Sequence, residues 1–148
     1  MNLTNDSMVR LHLRIGWWGL LIFLSMGAGL ELLHALKLGY YVDVSNDTRR
    51  LLWTLAHAHG ALIALVHLAF AATVALVPQW TGRTREWASR SLAAALVLVP
   101  GGFFLGGLFI YYGDPGLGIF LLPPGVLAFF GGVWLTARGL QSAGHDQS

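Results

Sequence analysis

The chain has 148 residues, of which 55% are hydrophobic and only 11% are charged, whereas soluble domains carry about 25% charged residues. So few polar side chains cannot cover a soluble domain, and the composition therefore indicates a surface that faces lipid. The absence of cysteine excludes disulfides and thiolate metal sites. The small net charge of +2, with its basic residues scattered along the chain, does not favour a nucleic-acid partner.

Four segments are long and apolar enough to cross a bilayer, which takes about 20 residues. We predict spans at about 15–36, 51–77, 91–112 and 117–137, within a single domain that covers residues 1–140. The polar end of the chain, residues 141–148, is predicted to be a flexible tail. The sequence therefore predicts an all-α membrane protein, a four-transmembrane-helix bundle whose main partner is the lipid bilayer.

Turn and helix-breaking residues separate these spans. The first connection, Gly39–Arg50, is polar and rich in turn and helix-capping residues. Pro78 is predicted to end the second span, and Pro123 and Pro124 to kink or delay the fourth. The segment Gly113–Gly116 is predicted to form a tight turn between the third and fourth spans.

The distribution of Lys and Arg predicts the orientation, because cytoplasmic connections are enriched in both. Six lie in the N-terminal segment, the second connection and the C-terminal segment, and three lie in the other two connections. This difference predicts that both termini face the cytoplasm, in a bacterial inner membrane. We interpret Arg49 and Arg50 as solvated, or as paired with Asp43 or Asp47. The two sets are Arg10, Arg14, Arg83, Arg85, Arg90 and Arg138 against Lys37, Arg49 and Arg50.

Ionisable side chains inside the predicted spans are concentrated in the first and second. Glu31 and His34 lie one helical turn apart in the first, and His57, His59 and His67 lie in the second. At about 100° per residue, Glu31 and His34 share a face, while the two neighbouring histidines of the second span diverge by about 160°. Because the two spans are antiparallel, we expect four of these residues to lie in one layer of the outer leaflet, with His67 nearer the midplane. The four are Glu31, His34, His57 and His59. Such intramembrane groups are costly and functional by default.

A carboxylate beside imidazoles suits a divalent transition metal, with Glu31, His34, His57 and His59 as candidate ligands. Two histidines on facing helices also suit haem b as axial ligands, namely His34 with either His57 or His67. Either cofactor predicts a role in electron transfer, or as a subunit of a membrane redox complex.

Other interpretations remain open from the residues alone. The same Glu and His cluster is explained equally well by a cofactor-free structural or assembly subunit, in which buried hydrogen bonds lock the hairpin. Handling of protons or small cations around Glu31, including transport of cations or drugs, is a further alternative. No nucleophile and base show convincing spacing, so the sequence decides neither for nor against an enzyme. Partners beyond lipid, such as a larger membrane complex or further copies of the chain, are equally open.

The stretch Arg49–Gly60, RRLLWTLAHAHG, resembles a segment of uncharacterised bacterial four-span membrane proteins. In those proteins an E-x-x-H element, here Glu31 and His34, is joined to an H-x-H-G element by a loop similar to residues 40–44. The helix that carries His57 and His59 also resembles the histidine-bearing helices of membrane haem and copper proteins of the haem-copper oxidase and NnrS kinds. The first resemblance implies a four-span fold without an assigned activity, and the second implies a metal.

Overall fold

The computed structural model describes residues 5–43 and 47–145, with side chains as far as residue 141. Four of its helices are long and apolar enough to cross a membrane, which confirms the prediction of an all-α, four-helix membrane protein. The helices are α1 (Asn5–Ala35), α2 (Gly39–Val42), α3 (Asp47–Leu76), α4 (Arg83–Leu108) and α5 (Leu122–His145), with a 3₁₀ segment (Leu117–Leu121) directly before α5.

The long helices pack in chain order, with α1 on α3, α3 on α4 and α4 on α5. The apolar stretch of α3 and that of α4 are each 39% buried within the protein. The corresponding stretches of α1 and of the span Leu117–Gln141 are only 11% buried. The middle pair therefore forms the core of the bundle, and the outer faces of α1 and α5 are left for lipid. The buried apolar clusters are Met8, Phe70, Val74, Trp80, Ala88 and Leu92 near the termini, Ile63, Ala95 and Val99 in the middle, and Leu30, Tyr41 and Trp53 at the opposite end.

The helices extend past the apolar segments from which they were predicted. α1 begins ten residues before the predicted span and has 31 residues, so it is about 46 Å long and exceeds the bilayer core of about 30 Å. α4 begins at Arg83 rather than near residue 91, and it ends at Leu108. α5 continues to His145, five residues into the predicted tail, and residues 146–148 lie outside the described part. The helices thus extend beyond the segments that hydropathy marks, because a polar sequence can continue a helix after the apolar stretch ends.

The connections follow the predicted turn chemistry. Tyr111 and Asp114 exchange backbone hydrogen bonds of 3.0 and 2.9 Å, around Tyr112 and Gly113 with φ of 52° and 94°. Positive φ values at both central residues are typical of a tight type I′ turn. The Thr48 hydroxyl donates to the Gly113 carbonyl at 2.7 Å, which ties this turn to the start of α3.

Proline acts as predicted at two helix ends. α3 ends at Leu76, two residues before Pro78, and α5 begins at Leu122, so that Pro123 and Pro124 lie in its first turn. The missing N–H groups cost nothing in a first turn. The short helix α2 inside the first connection was not predicted from the sequence, and residues 44–46 of that connection lie outside the described part.

Arg49 is buried, which corrects its interpretation as a solvated side chain. Its Nε donates to the Gly107 carbonyl at 3.0 Å and its Nη1 to the Tyr40 carbonyl at 3.2 Å. The guanidinium lies 4.2 Å from the centre of the Tyr40 ring. Gly107 is in the last turn of α4, where carbonyls lack a helical donor, so Arg49 caps α4 and fastens it to α2 and α3. Arg50 pairs with Asp47, as predicted.

We expect Arg49→Met to lower the free energy of unfolding by about 2–4 kcal/mol, because the buried Gly107 carbonyl and the partly buried Tyr40 carbonyl lose a charged donor. Arg50→Met is the matched control. Its ion pair with Asp47 is partly exposed and contributes less than about 1 kcal/mol, and its bonds to the Tyr41 and Asp43 carbonyls are partly buried and exposed, so we expect the smaller loss. Reversible unfolding in detergent micelles, followed by circular dichroism, gives both values. Equal losses in the two variants would contradict the capping role.

Candidate functional site

A cavity of about 470 Å³ opens between α1, α2 and α3 at the end of the bundle opposite the termini. Its polar lining comes from Glu31 and His34 on α1, Tyr41 on α2, and Thr54 and His57 on α3. Apolar residues and Gly27 complete the wall. The hairpin thus brings three of the residues singled out from the sequence to one cavity, together with a phenol and a hydroxyl. We call this the outer cavity.

The His57 ring is held in one orientation. Its Nδ1 lies 2.7 Å from the carbonyl oxygen of Phe23 on α1. Since a carbonyl only accepts, Nδ1 carries the hydrogen, and in the neutral ring Nε2 keeps its lone pair. The ring also lies flush against Gly27, where an added Cβ would overlap it. Histidines that ligate metals are commonly oriented by such a bond from the second ring nitrogen.

Glu31 and His34 are exposed, and their side chains are less constrained than His57. His34 makes an edge-on contact with Tyr41, with ring centres 6.5 Å apart. Among the described residues, no group of three His, Asp or Glu side chains converges closely enough to hold a metal ion. A single ion shared with His57 therefore requires a rotamer change at Glu31 or His34, which exposed side chains make at little cost.

The structure does not bring His59 or His67 to the outer cavity. His59 bonds through Nδ1 to the Leu55 carbonyl of its own helix at 2.9 Å, and its ring lies 5.0 Å from that of Phe103 on α4. His67 is ten residues from His57, about 15 Å along α3, and is completely buried. The predicted pairing of His34 with His67 is therefore not formed.

Small residues join α1 to α3 between these two levels. A Cβ at Gly19 would lie 3.0 Å from Cβ of Ala64, and a Cβ at Gly60 would overlap the Phe23 ring. Gly16 packs equally closely on α3. These small residues form a helix-packing seam between α1 and α3, which separates the outer cavity from a second polar cluster.

This second cluster joins three helices through His12 on α1, His67 on α3 and Ser89 on α4. The Nδ1 atoms of the two histidines are 2.7 Å apart, and Nε2 of His12 is 2.8 Å from Oγ of Ser89. Both histidines are fully buried, and Ser89 is 6% exposed. We call these three residues the buried relay.

Neither His12 nor Ser89 was recognised from the sequence. Both lie in charged segments that were placed outside the spans, His12 between Arg10 and Arg14 and Ser89 before Arg90. One signal was present: His12, Gly16, Gly19, Phe23 and Gly27 recur at spacings of four, three, four and four, which is one face of a helix. If the predicted first span began three residues earlier, His12 would lie on the helix face that meets α3.

Comparison with protein-family models, curated proteins and solved structures gives no match for this chain.

We expect Gly27→Val to destabilise the protein by about 1–3 kcal/mol, because the new side chain would displace the His57 ring from the Phe23 carbonyl. Gly29→Val is the control on the same helix, since a Cβ at Gly29 meets nothing within 4 Å. Thermal unfolding in detergent compares the two. Equal stability of both variants would contradict the packing of His57 against α1.

Proposed function

We propose that this integral membrane protein binds a divalent transition-metal ion in the outer cavity. Its role is electron transfer, alone or as a subunit of a redox complex of the bacterial inner membrane. The observation that carries the proposal is that Glu31, His34 and His57 line one cavity, while the His57 ring is fixed by the Phe23 carbonyl. An ionisable group at membrane depth is by default functional.

The chemistry of the donor set supports an ion of the first transition row. Two imidazoles together with one carboxylate suit such metals. Nε2 of His57 is the pre-oriented ligand, and the exposed Glu31 and His34 complete the set by rotamer changes. Tyr41 and Thr54 add hydroxyl groups that can bond to a ligating carboxylate or to water in an open coordination position.

Haem b is the alternative cofactor, with His34 and His57 as the axial pair. Both histidines border the same cavity, which supports this alternative. The Glu31 carboxylate and the Tyr41 phenol in the lining favour the metal ion. A haem between His34 and His57 would occupy the space into which these two side chains project. Haem b and a metal ion differ strongly in their visible absorption, so one absorption spectrum of the purified protein distinguishes them.

The test is purification in mild detergent from cells grown with trace metals, followed by elemental analysis and an absorption spectrum. We expect about one equivalent of a transition metal per chain, and its loss in His57→Ala and Glu31→Gln, since each removes a ligand. His59→Ala is the matched control and keeps the metal, because His59 bonds within its own helix.

A Soret band would instead assign haem b to the same histidines. A folded protein without metal and without colour would overturn the proposal. Retention of full metal content by both His57→Ala and Glu31→Gln would place the ion elsewhere and would overturn it as well.

A cofactor-free structural or assembly subunit is the second candidate, and one contact supports it. The bond from His57 to the Phe23 carbonyl joins α3 to α1, so this histidine has a role in the hairpin without any ligand. Under this candidate, His57→Ala lowers the free energy of unfolding by about 1–3 kcal/mol, because a hydrogen bond between α3 and α1 is lost and a void is left. Glu31→Gln and His34→Ala, both at exposed positions, leave it unchanged.

Chelator-treated protein measured beside untreated protein distinguishes the two candidates. If Glu31→Gln and His34→Ala destabilise only the untreated protein, a bound ion stabilises the folded state. If neither variant changes stability before or after chelation, the structural candidate accounts for the cluster.

A further inference from the structure

A second cavity, of about 560 Å³, opens at the termini end of the bundle between the start of α4 and the end of α5. We call it the termini cavity. Its polar lining comes from Trp80 and Thr81 before α4, Thr84 in the first turn of α4, and Arg138 and Gln141 on α5. Of the described residues that line it, none is acidic. The termini cavity is therefore rich in hydrogen-bond donors and carries a positive charge.

The indole N–H of Trp80 lies at the wall of this cavity without an acceptor. Trp80 is 4% exposed, and among the described residues nothing accepts from its Nε1. The ring edge that carries Nε1 lies against Gly139 on α5, where an added Cβ would overlap it, and both residues line the termini cavity. Buried donors in native proteins are almost always paired. The unpaired N–H therefore points to a ligand with an acceptor oxygen at this wall.

The start of α4 contributes further donors. The first N–H groups of a helix have no partner within it, and Gly82, the N-cap residue of α4, provides no side-chain acceptor for them. The dipole of this helix of 26 residues adds a partial positive charge at the same end. Backbone N–H groups of a helix start, hydroxyls and a guanidinium are the donors with which proteins bind phosphate.

The end of the bundle that holds the termini cavity is basic. Its six arginines face only two acidic side chains among the described residues of this end, Asp6 and Glu86. Arg85, one of the six, is 6% exposed, and its Nε has no partner in the described part of the chain. Basic pockets between transmembrane helices bind the head groups of anionic lipids. The charge of this end therefore favours an anion over a zwitterion.

A lipid-facing stripe on α5 leads to the cavity. The exposed residues Leu127, Phe130 and Trp134 are followed by Arg138 and Gln141. The five recur at spacings of three, four, four and three, which is one face of a helix. The Arg138 guanidinium lies 4.9 Å from the centre of the Trp134 ring, and tryptophan is typical of the membrane boundary. An acyl chain along this stripe places its head group at the level of Arg138, so a lipid fits better than a free ion.

We propose that the termini cavity binds a phosphate group, supplied by an anionic phospholipid. Arg138 pairs with the phosphate, and the Thr84 hydroxyl and the Trp80 indole N–H donate to its oxygens. The acyl chains lie along the exposed stripe of α5. This site is independent of the outer cavity and of any metal there.

The first test is native mass spectrometry of the full chain in a maltoside detergent, titrated with phosphatidylglycerol or with phosphatidylcholine. We expect phosphatidylglycerol to bind roughly tenfold more tightly, because the positive end repels a choline group. Arg138→Gln lowers the affinity for phosphatidylglycerol about tenfold, since a charge-assisted bond is lost. Arg138 is exposed, so the variant keeps the fold.

Arg90→Gln is the matched control for this measurement. Arg90 also lies at the termini end and over an exposed tryptophan, Trp87, at 5.7 Å from the ring centre, but it does not line the cavity. We expect its removal to change the affinity less than about twofold, as for a distant, screened charge. Equal losses in the two variants would reduce the binding to general attraction by the basic end and would overturn the proposal, as would equal binding of the two lipids.

A second measurement reports on the site itself. The chain has six tryptophans, and ¹⁵N labelling of their indoles gives one NMR signal each, of which Trp80→Phe removes that of Trp80. We expect phosphatidylglycerol to move this signal downfield, because the N–H gains an acceptor. The Trp53 indole already donates to the Phe104 carbonyl at 3.2 Å, so its signal stays in place. An unmoved Trp80 signal in folded protein saturated with phosphatidylglycerol would overturn the proposal.

The source of the phosphate is decided by adding sodium phosphate to the protein in phosphatidylcholine nanodiscs. Since the stripe on α5 contributes only to lipid binding, we expect inorganic phosphate to move the Trp80 signal only at far higher concentration than phosphatidylglycerol does. Saturation by inorganic phosphate at an equal or lower concentration would overturn the assignment to a lipid.

Discussion

The close approach of α1 to α3 is the contact on which both polar sites depend. Gly16, Gly19 and Gly27 on α1 leave no side chain between the two helices, and close backbone approach through small residues is how helices associate in lipid. At one end of this seam, the His57 ring lies against Gly27 and reaches the Phe23 carbonyl. At the other end, the same short separation lets the imidazoles of His12 and His67 meet directly.

The remaining long helices, α4 and α5, pack in turn against the pair formed by α1 and α3. α4 packs along α3 and supplies Ser89 to the buried relay. α5 covers α4, and its side chains as far as residue 141 contribute no polar group to either site. Two arginines fasten the ends, Arg49 by capping α4 and Arg85 by holding the start of α1. The Gly107 carbonyl at the end of α4 has Arg49 as its donor, and unpaired polar groups away from water are expensive. Both ends of the bundle are therefore fixed by polar bonds and the middle by small-residue packing.

The sequence predicts the fold well because lipid imposes simple rules. Span number, the tight turn at Gly113 and the helix end before Pro78 follow from hydropathy and turn chemistry. The grouping of Glu31, His34 and His57 follows from helix angle and depth. Angle also separates His59 from His57, and the structure places His59 against α4 instead. In each case the deciding property is local to one helix or to one hairpin.

What the sequence does not reveal is the part that depends on contacts between three helices. His12 and Ser89 are 77 positions apart, each beside arginines that suggest a surface segment. Their burial follows from helices that continue beyond the lipid, with one face still packed against neighbours. The burial of Arg49 does not follow from the sequence for the same reason, since charge alone does not show which face of a helix end is covered.

The two sites are chemically separate, and this limits what the protein can do with them. The seam between His57 and His67 consists of glycine, alanine and phenylalanine contacts, about 15 Å long on α3. A proton moves between side chains only across hydrogen-bonded groups, and the described seam residues provide none. The coupling that the seam itself offers between the two sites is therefore mechanical, through a shift of α1 against α3. Since that seam is close-packed, a shift at one end would be transmitted to the other rather than absorbed.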